Sequence, residues 1–189
     1  QITRGVAPRR HEFPSADIKP SVVMTFKSLE RLPQEIYDKG VKLISFPDLR
    51  WGRCDIKSTA LLANVLAKQQ ATKQGAFEAL LVNTEGFITE GSSTSVFWVK
   101  QEKLFVTPSG KNILPSITRK ILMEIAGELG IETCQFACRL EDLFKSDEVI
   151  LAGTTTEAVS VTEIDEKVIG TGSPGVMVKR IRRAFLNRC

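Results

Sequence analysis

The residue in this sequence best suited to covalent chemistry is a lysine at the mouth of an apolar helix. In the stretch 50–73, RWGRCDIKSTALLANVLAKQQATK, Lys57 follows an isoleucine. It precedes a run in which Leu61, Leu62, Val65 and Leu66 recur at the spacing of one helical face. Ser58 is placed to cap that helix and Gly75 to stop it. An amine held between apolar packing and the positive end of a helix has its ammonium form disfavoured, which makes it a nucleophile toward carbonyl compounds. The alternative is an ordinary surface lysine at a helix start, and this stretch alone does not separate the two. A second candidate is Glu90 in ITEGSSTSVFWV, at a strand end before Gly91 and the hydroxyl run Ser92–Thr94. By itself that segment also reads as a simple polar turn.

The elements that must position these groups follow from the hydrophobic pattern. Strands are expected at 21–27, 40–46, 78–83, 87–89, 95–100, 103–108, 132–138, 148–153 and 158–165. The lysine loop and its helix fall between the second and third of these. A second helix, PSITRKILMEIAGELGI (115–131), has Ile117, Ile121, Ile125 and Leu129 every four residues, Ser116 as cap and Gly130 as stop. LEDLFKSD (140–147) reads as a short helix and VMVKRIRRAF (176–185) as an amphipathic one. Many strands with a few interspersed helices make an α+β (mixed α/β) fold.

Length and composition narrow the function classes. With 189 residues, 42% of them hydrophobic and 25% charged, the chain can bury a sizeable core. A net charge of +4 is mild for this length and does not point to nucleic acid. Lys179, Arg180, Arg182 and Arg183 are concentrated on the last helix, but Val178, Ile181 and Phe185 give it an apolar face, so the charges read as its solvated side. No apolar run approaches bilayer length, no signal-peptide pattern opens the chain, and Cys54, Cys134, Cys138 and Cys189 form no regular framework. A cytoplasmic protein with reduced thiols and no metal is expected. The chain opens on Gln1 and reads there as the end of a strand, so a piece of a longer protein, with a missing N-terminal segment, is expected.

Four segments taken together carry a family resemblance. RCDIK (53–57), TEGSSTSVF (89–97), LPSITRK (114–120) and LAGTTTEA (151–158), in this order over nearly the whole chain, resemble the class IV (fold type IV) aminotransferases that use pyridoxal 5′-phosphate. The resemblance implies a β-rich pseudo-barrel with flanking helices, the large domain of that fold. Residues 1–27 would form the end of the small domain and the connection, and 28–189 the large cofactor-binding domain. It implies that Lys57 carries the cofactor covalently and then moves the substrate's α-proton, and that Glu90 faces the pyridine nitrogen. Ile117 and Thr118, opening a helix, and the hydroxyls of Thr154, Thr155 and Thr156 would hold the phosphate, with Leu114 packed near the ring. In isolation the same residues read as a helix cap and a polar turn. The arginine and the aromatic hydroxyl that the family's small domain supplies have no counterpart here.

Pro8-Arg9-Arg10-His11 resembles the Arg-x-His pattern of the D-amino acid aminotransferases. There Arg9 would grip the substrate carboxylate through two parallel hydrogen bonds, with His11 and the hydroxyls of Thr155 and Thr156 as further contacts. In that subgroup the loop reaches the neighbouring subunit, so a homodimer acting on a D-amino acid and a 2-oxo acid is implied. A branched-chain L-amino acid aminotransferase, an aminodeoxychorismate lyase of the same fold, and a non-catalytic truncated domain are the alternatives.

Overall fold

The computed structural model describes residues 1–188, so Cys189 lies outside the described residues. The chain separates into two units, Gln1–Glu30 and Arg31–Cys189. The first holds an isolated bridge between Ile2 and Val22, with Thr3 N–H donating to the Ser21 carbonyl and Val23 N–H to that of Gln1. The strand expected at 21–27 does not form: Val23, Met24 and Phe26 are exposed, and β-branched propensity makes no strand without a neighbour to pair with.

The second unit is a mixed sheet with helices around it. In chain order it contains α1 (Gln34–Lys39), β1 (Val41–Pro47), α2 (Leu62–Lys73), β2 (Glu78–Val82), β3 (Ile88–Gly91), β4 (Ser95–Lys100) and β5 (Lys103–Val106). There follow α3 (Ile117–Glu128), β6 (Thr133–Gln135), α4 (Leu140–Leu143), β7 (Glu148–Gly153), β8 (Glu157–Ile164), β9 (Lys167–Val168) and α5 (Val176–Arg188). The strand order is β3-β2-β1-β8-β7-β4-β5-β6, with β9 on β8. β1 runs parallel to β2 and β8, and β5 parallel to β6; the other pairs are antiparallel.

This order forces the sheet to curl. β3 lies at one end, with β2, β1, β8 and β7 between it and β4. Laid flat, that separation is roughly 24 Å at the usual strand spacing. The three residues linking β3 to β4 reach at most about 15 Å. The end strand must therefore swing back toward β4, which makes the half-barrel.

Strand alternation sorts the core into an inside and an outside. Leu43, Leu80, Ile88, Val96, Trp98, Val149, Leu151, Val159 and Val161 share one face with Tyr37 of α1 and Leu143 of α4. Their neighbours Phe97, Val99, Ile150, Ala152 and Ala158 pack under Leu122, Ile125 and Ala126 of α3 and Val178, Ile181 and Phe185 of α5. Ile44, Ala79 and Leu81 meet Ala67 and Ala71 of α2.

Three expected details change. α2 starts at Leu62, not at Ser58, because the Ser58 hydroxyl accepts from Ala60 N–H in a local turn and Leu61 takes the cap position without a side-chain bond. Its buried face is the alanine pair, which lets the helix lie close on the sheet. Leu61, Leu62, Val65 and Leu66 are left 51–72% exposed. On α3 the buried face runs through Thr118, Leu122, Ile125 and Ala126, one residue round from the expected stripe, and Ile117 is exposed. α1 has no counterpart in the expectations, being six residues long with a single buried side chain.

Candidate active site

The rim where β1, β3 and the loop before α3 meet gathers a buried charge cluster. Glu90 projects from β3 and is 5% exposed. Its carboxylate takes a bond from Arg50 Nη1 and, at 3.2 Å, one from the backbone N–H of Leu114. Arg50 in turn grips Asp48 with Nε and Nη2 at 2.9 and 2.8 Å, and reaches the Asn112 carbonyl at 3.0 Å. The Thr89 hydroxyl donates to Asp48 at 2.7 Å. Two carboxylates share one guanidinium, so the cluster carries a net negative charge.

The two acids respond in opposite directions. For Glu90, burial is the largest influence and pushes its carboxyl above the ordinary glutamate range, against the pull of Arg50. Asp48 feels burial as well, but the double bond from Arg50 and the Thr89 hydroxyl hold it below the usual aspartate range. Burial alone would lower Arg50, yet its carboxylate partners raise it, and it stays a cation.

This cluster organises the other residues expected in the site. Leu114 is there through its N–H, three residues ahead of the first turn of α3. In that turn Ser116 Oγ caps Arg119 N–H at 3.2 Å, and the first intrahelical bond is Lys120 N–H to the Ser116 carbonyl. The N–H groups of Ile117 and Thr118 are thus the ones without an intrahelical acceptor, the arrangement that favours an anion. Thr154, Thr155 and Thr156 form the turn between β7 and β8, the first two exposed and the third buried. A Cβ built on Gly153 would lie 3.5 Å from Thr94 Cγ2, so this turn sits beside the one that follows Glu90.

Lys57 stands on the irregular segment between Arg50 and α2 and is exposed, not packed at a helix mouth as expected. The reason is the later start of α2, which leaves four residues of loop after it. Among the described residues it has no hydrogen-bond or ion-pair partner. Asp55 N–H, two residues earlier, donates to the Lys111 carbonyl at 3.1 Å. The lysine loop and the Glu90 cluster therefore both attach to residues 111–114. Arg9 and His11 lie in the other unit, exposed, in a basic segment where Arg4 stacks 4.0 Å over Phe13.

Arg50 and Asp48 are missed by the sequence reading. The available signal was an Asp-x-Arg pair directly after an apolar strand and seven residues ahead of the lysine. Arg50→Met leaves two buried carboxylates facing each other and is expected to cost about 3 kcal/mol or more at neutral pH. Asp48, depressed in the folded chain, contributes stability above the ordinary aspartate range and loses it as pH falls. The deficit of the variant is therefore largest near pH 7 and shrinks in acid, as denaturant unfolding at pH 7 and pH 4 would read.

The residues present fit a pyridoxal phosphate group. A buried acid with unfilled lone pairs and net negative surroundings suits a protonated ring nitrogen, and free N–H groups with a threonine turn suit a phosphate. Among the described residues no cluster of three acidic, His or Cys side chains could hold a metal, and no helix is long and apolar enough to cross a membrane.

Comparison with known proteins agrees with the geometry. The chain is 38% identical over 187 residues to a D-alanine aminotransferase of Bacillus licheniformis, covering 99% of this chain and 65% of that enzyme's length. It is likewise 38% identical to a D-alanine aminotransferase of Staphylococcus haemolyticus over 185 residues, covering 98% of this chain and again 65% of the relative. In structure it resembles the branched-chain amino acid aminotransferase of Escherichia coli, with a TM-score of 0.84 and 27% identity over 98% of this chain and 63% of that one. A second branched-chain amino acid aminotransferase, from T.th. and solved with pyridoxamine 5′-phosphate, gives a TM-score of 0.76 and 32% identity, over 84% of this chain and 53% of that one. The family profile described as amino-transferase class IV matches residues 1–164, and the chain belongs to the class IV aminotransferases.

Proposed function

We propose that the protein is a pyridoxal 5′-phosphate-dependent D-amino acid aminotransferase, moving an amino group from a D-amino acid to a 2-oxo acid. The observation that carries the reading is the buried Asp48–Arg50–Glu90 cluster, tied through Leu114 to the open N-terminus of α3. When bound, the cofactor supplies an aldehyde that takes the amino group and a ring that spreads the electron pair left on the substrate's α-carbon. The roles of this chain's residues follow. Lys57 holds the cofactor covalently and, once released, takes the proton from the α-carbon and returns it. Glu90 keeps the ring nitrogen protonated, while Arg50 keeps Glu90 in place. Ile117 and Thr118 N–H groups and the Thr154–Thr156 turn receive the phosphate, and Leu114 packs near the ring. Arg9 and His11 bind the substrate carboxylate, with Thr155 and Thr156 as further donors. The first product leaves before the second substrate arrives, so ping-pong kinetics are expected.

The D-specific reading is supported by Arg9 and His11 and by the relatives that bear the name D-alanine aminotransferase. Likeness to branched-chain enzymes favours the second reading, an L-amino acid aminotransferase. Comparing D-alanine with L-leucine as donor to 2-oxoglutarate decides between them: faster turnover of D-alanine is expected, and turnover of L-leucine alone sinks the D-specific reading.

We assign the protein to the cytoplasm as a homodimer whose residues 1–27 belong to a small domain and 28–189 to the large one. Cys54, Cys134 and Cys138 are free thiols, as a reducing compartment requires. The exposed face of α2 supplies an apolar surface for a second copy. The double substitution Leu62→Glu with Val65→Glu is expected to convert the dimer to monomer by light scattering with little change in unfolding temperature. An unaltered dimer would place the interface elsewhere.

A further inference from the structure

The hydroxyl run that follows Glu90 has an occupant. Glu78 opens β2, is 1% exposed, and has no cation within hydrogen-bond distance; Lys68 Nζ is 3.9 Å away. Its charge is held by the next turn of chain. Ser92 Oγ donates to one carboxylate oxygen, and Ser93 Oγ donates to the other at 2.7 Å, with Thr94 Oγ1 at 3.4 Å. Each oxygen also accepts a backbone N–H, Ala79 on the first at 2.9 Å and Ser93 on the second at 3.3 Å. The turn packs so closely that a Cβ on Gly91 would fall 2.1 Å from Thr94 Oγ1 and 3.2 Å from Glu78 Cγ. α2 joins from the other side. Asn64 Nδ2 donates to the Ser92 carbonyl at 2.7 Å, and one turn later Lys68 donates to the Phe77 carbonyl.

From this we infer that Glu78 is a positioning residue of the active site. Its carboxylate clamps the turn that follows Glu90 to the helix that follows Lys57, and so sets the amine against the acid. The inference rests on the functional reading above for what Lys57 and Glu90 do. A buried carboxylate needs this many donors, and an apolar residue in its place would fill the same sheet position without holding the turn. Thus Ser92 and Ser93 are assigned to Glu78 as donors, each hydroxyl having a single proton to give.

Glu78→Gln is the informative variant, because a backbone N–H faces each oxygen and an amide group opposes one of them whichever way it turns. In the chain loaded with pyridoxal phosphate, kcat is expected to fall about 100-fold with KM little changed, as for a misplaced catalytic group. The pH midpoint of the bound cofactor's visible band is expected to move. In the unloaded full chain, amide exchange at Gly91, Ser92 and Ser93 should quicken more than tenfold, and amide resonances from Lys57 to Val65 should shift. Core amides such as Ile150 should not change. Asn64→Ala should move the 57–65 resonances while leaving exchange at 91–93 slow.

A Glu78→Gln chain whose changes stop at residues 91–93, or whose cofactor titration and turnover match the unaltered chain while only its melting temperature drops, overturns the inference. Should the unaltered chain stay colourless with cofactor, the functional reading fails, and the resonance shifts in the unloaded chain still decide the clamp.

Discussion

Lys57→Ala is expected to abolish the borohydride-reducible link to pyridoxal phosphate and to lower transamination by a factor on the order of 10,000 or more. Removing a covalent nucleophile that is also the proton carrier deletes both functions at once. The same substitution should leave the fold almost untouched, with unfolding shifted by no more than about 0.5 kcal/mol. Lys57 is exposed, sits in irregular chain, and has no bonding partner among the described residues. Lys68 is the instructive control. It is the other lysine near the clamp, but its ammonium is committed to the Phe77 carbonyl, the Phe77 ring and the neighbourhood of Glu78. Lys68→Ala should therefore lower stability while keeping the reducible link. The two lysines thus separate chemistry from architecture in opposite directions.

Glu90→Gln is expected to slow turnover about 100- to 1,000-fold while leaving the folded chain as stable as before, or slightly more so, at neutral pH. The rate loss follows from replacing an anion, which holds a proton on the ring nitrogen, with a neutral amide. The stability sign comes from the raised carboxyl. A group that binds its proton more tightly folded than unfolded loses its contribution as pH climbs from the ordinary glutamate range through the folded value. Ionised Glu90 is therefore a cost near pH 7 that the amide does not carry. Arg50 keeps its two-point grip on Asp48 in the variant, and the amide oxygen still accepts from it. Activity and stability moving in opposite directions is the pattern of a residue retained for chemistry. Measuring kcat and urea unfolding on the same preparation reads both, and a large loss of stability would recast Glu90 as a structural acid.

How much of this was legible in the sequence depended on whether the cause was local. The strands of the half-barrel could be read because alternation and β-branching are written along each segment, and eight of them pair across one sheet path. The stretch 21–27 carried the same signal and misled, since pairing needs a neighbour that no local pattern specifies. The lysine helix was found but its face inverted. Four large apolar side chains marked one side, while the chain buried the alanines, whose small size allows close approach to Ile44 and Leu81. Glu90 was found from the turn after it, yet its environment was not, because Asp48 and Arg50 lie about forty residues earlier and meet it only when β1 and β3 are brought to one rim. The hydroxyl run at 92–94 was likewise visible as a turn. That it encloses Glu78 depends on the curl of the sheet, which no single segment encodes.

The most direct test of the account is chemical. The chain is incubated with pyridoxal 5′-phosphate, reduced with borohydride, digested, and mapped by mass spectrometry. One phosphopyridoxyl group is expected per chain, on the peptide that contains Lys57, and its formation should be lost when Glu90 and Arg50 are both replaced. Label spread over Lys68, Lys111 and other exposed amines, or a single label away from position 57, would contradict it.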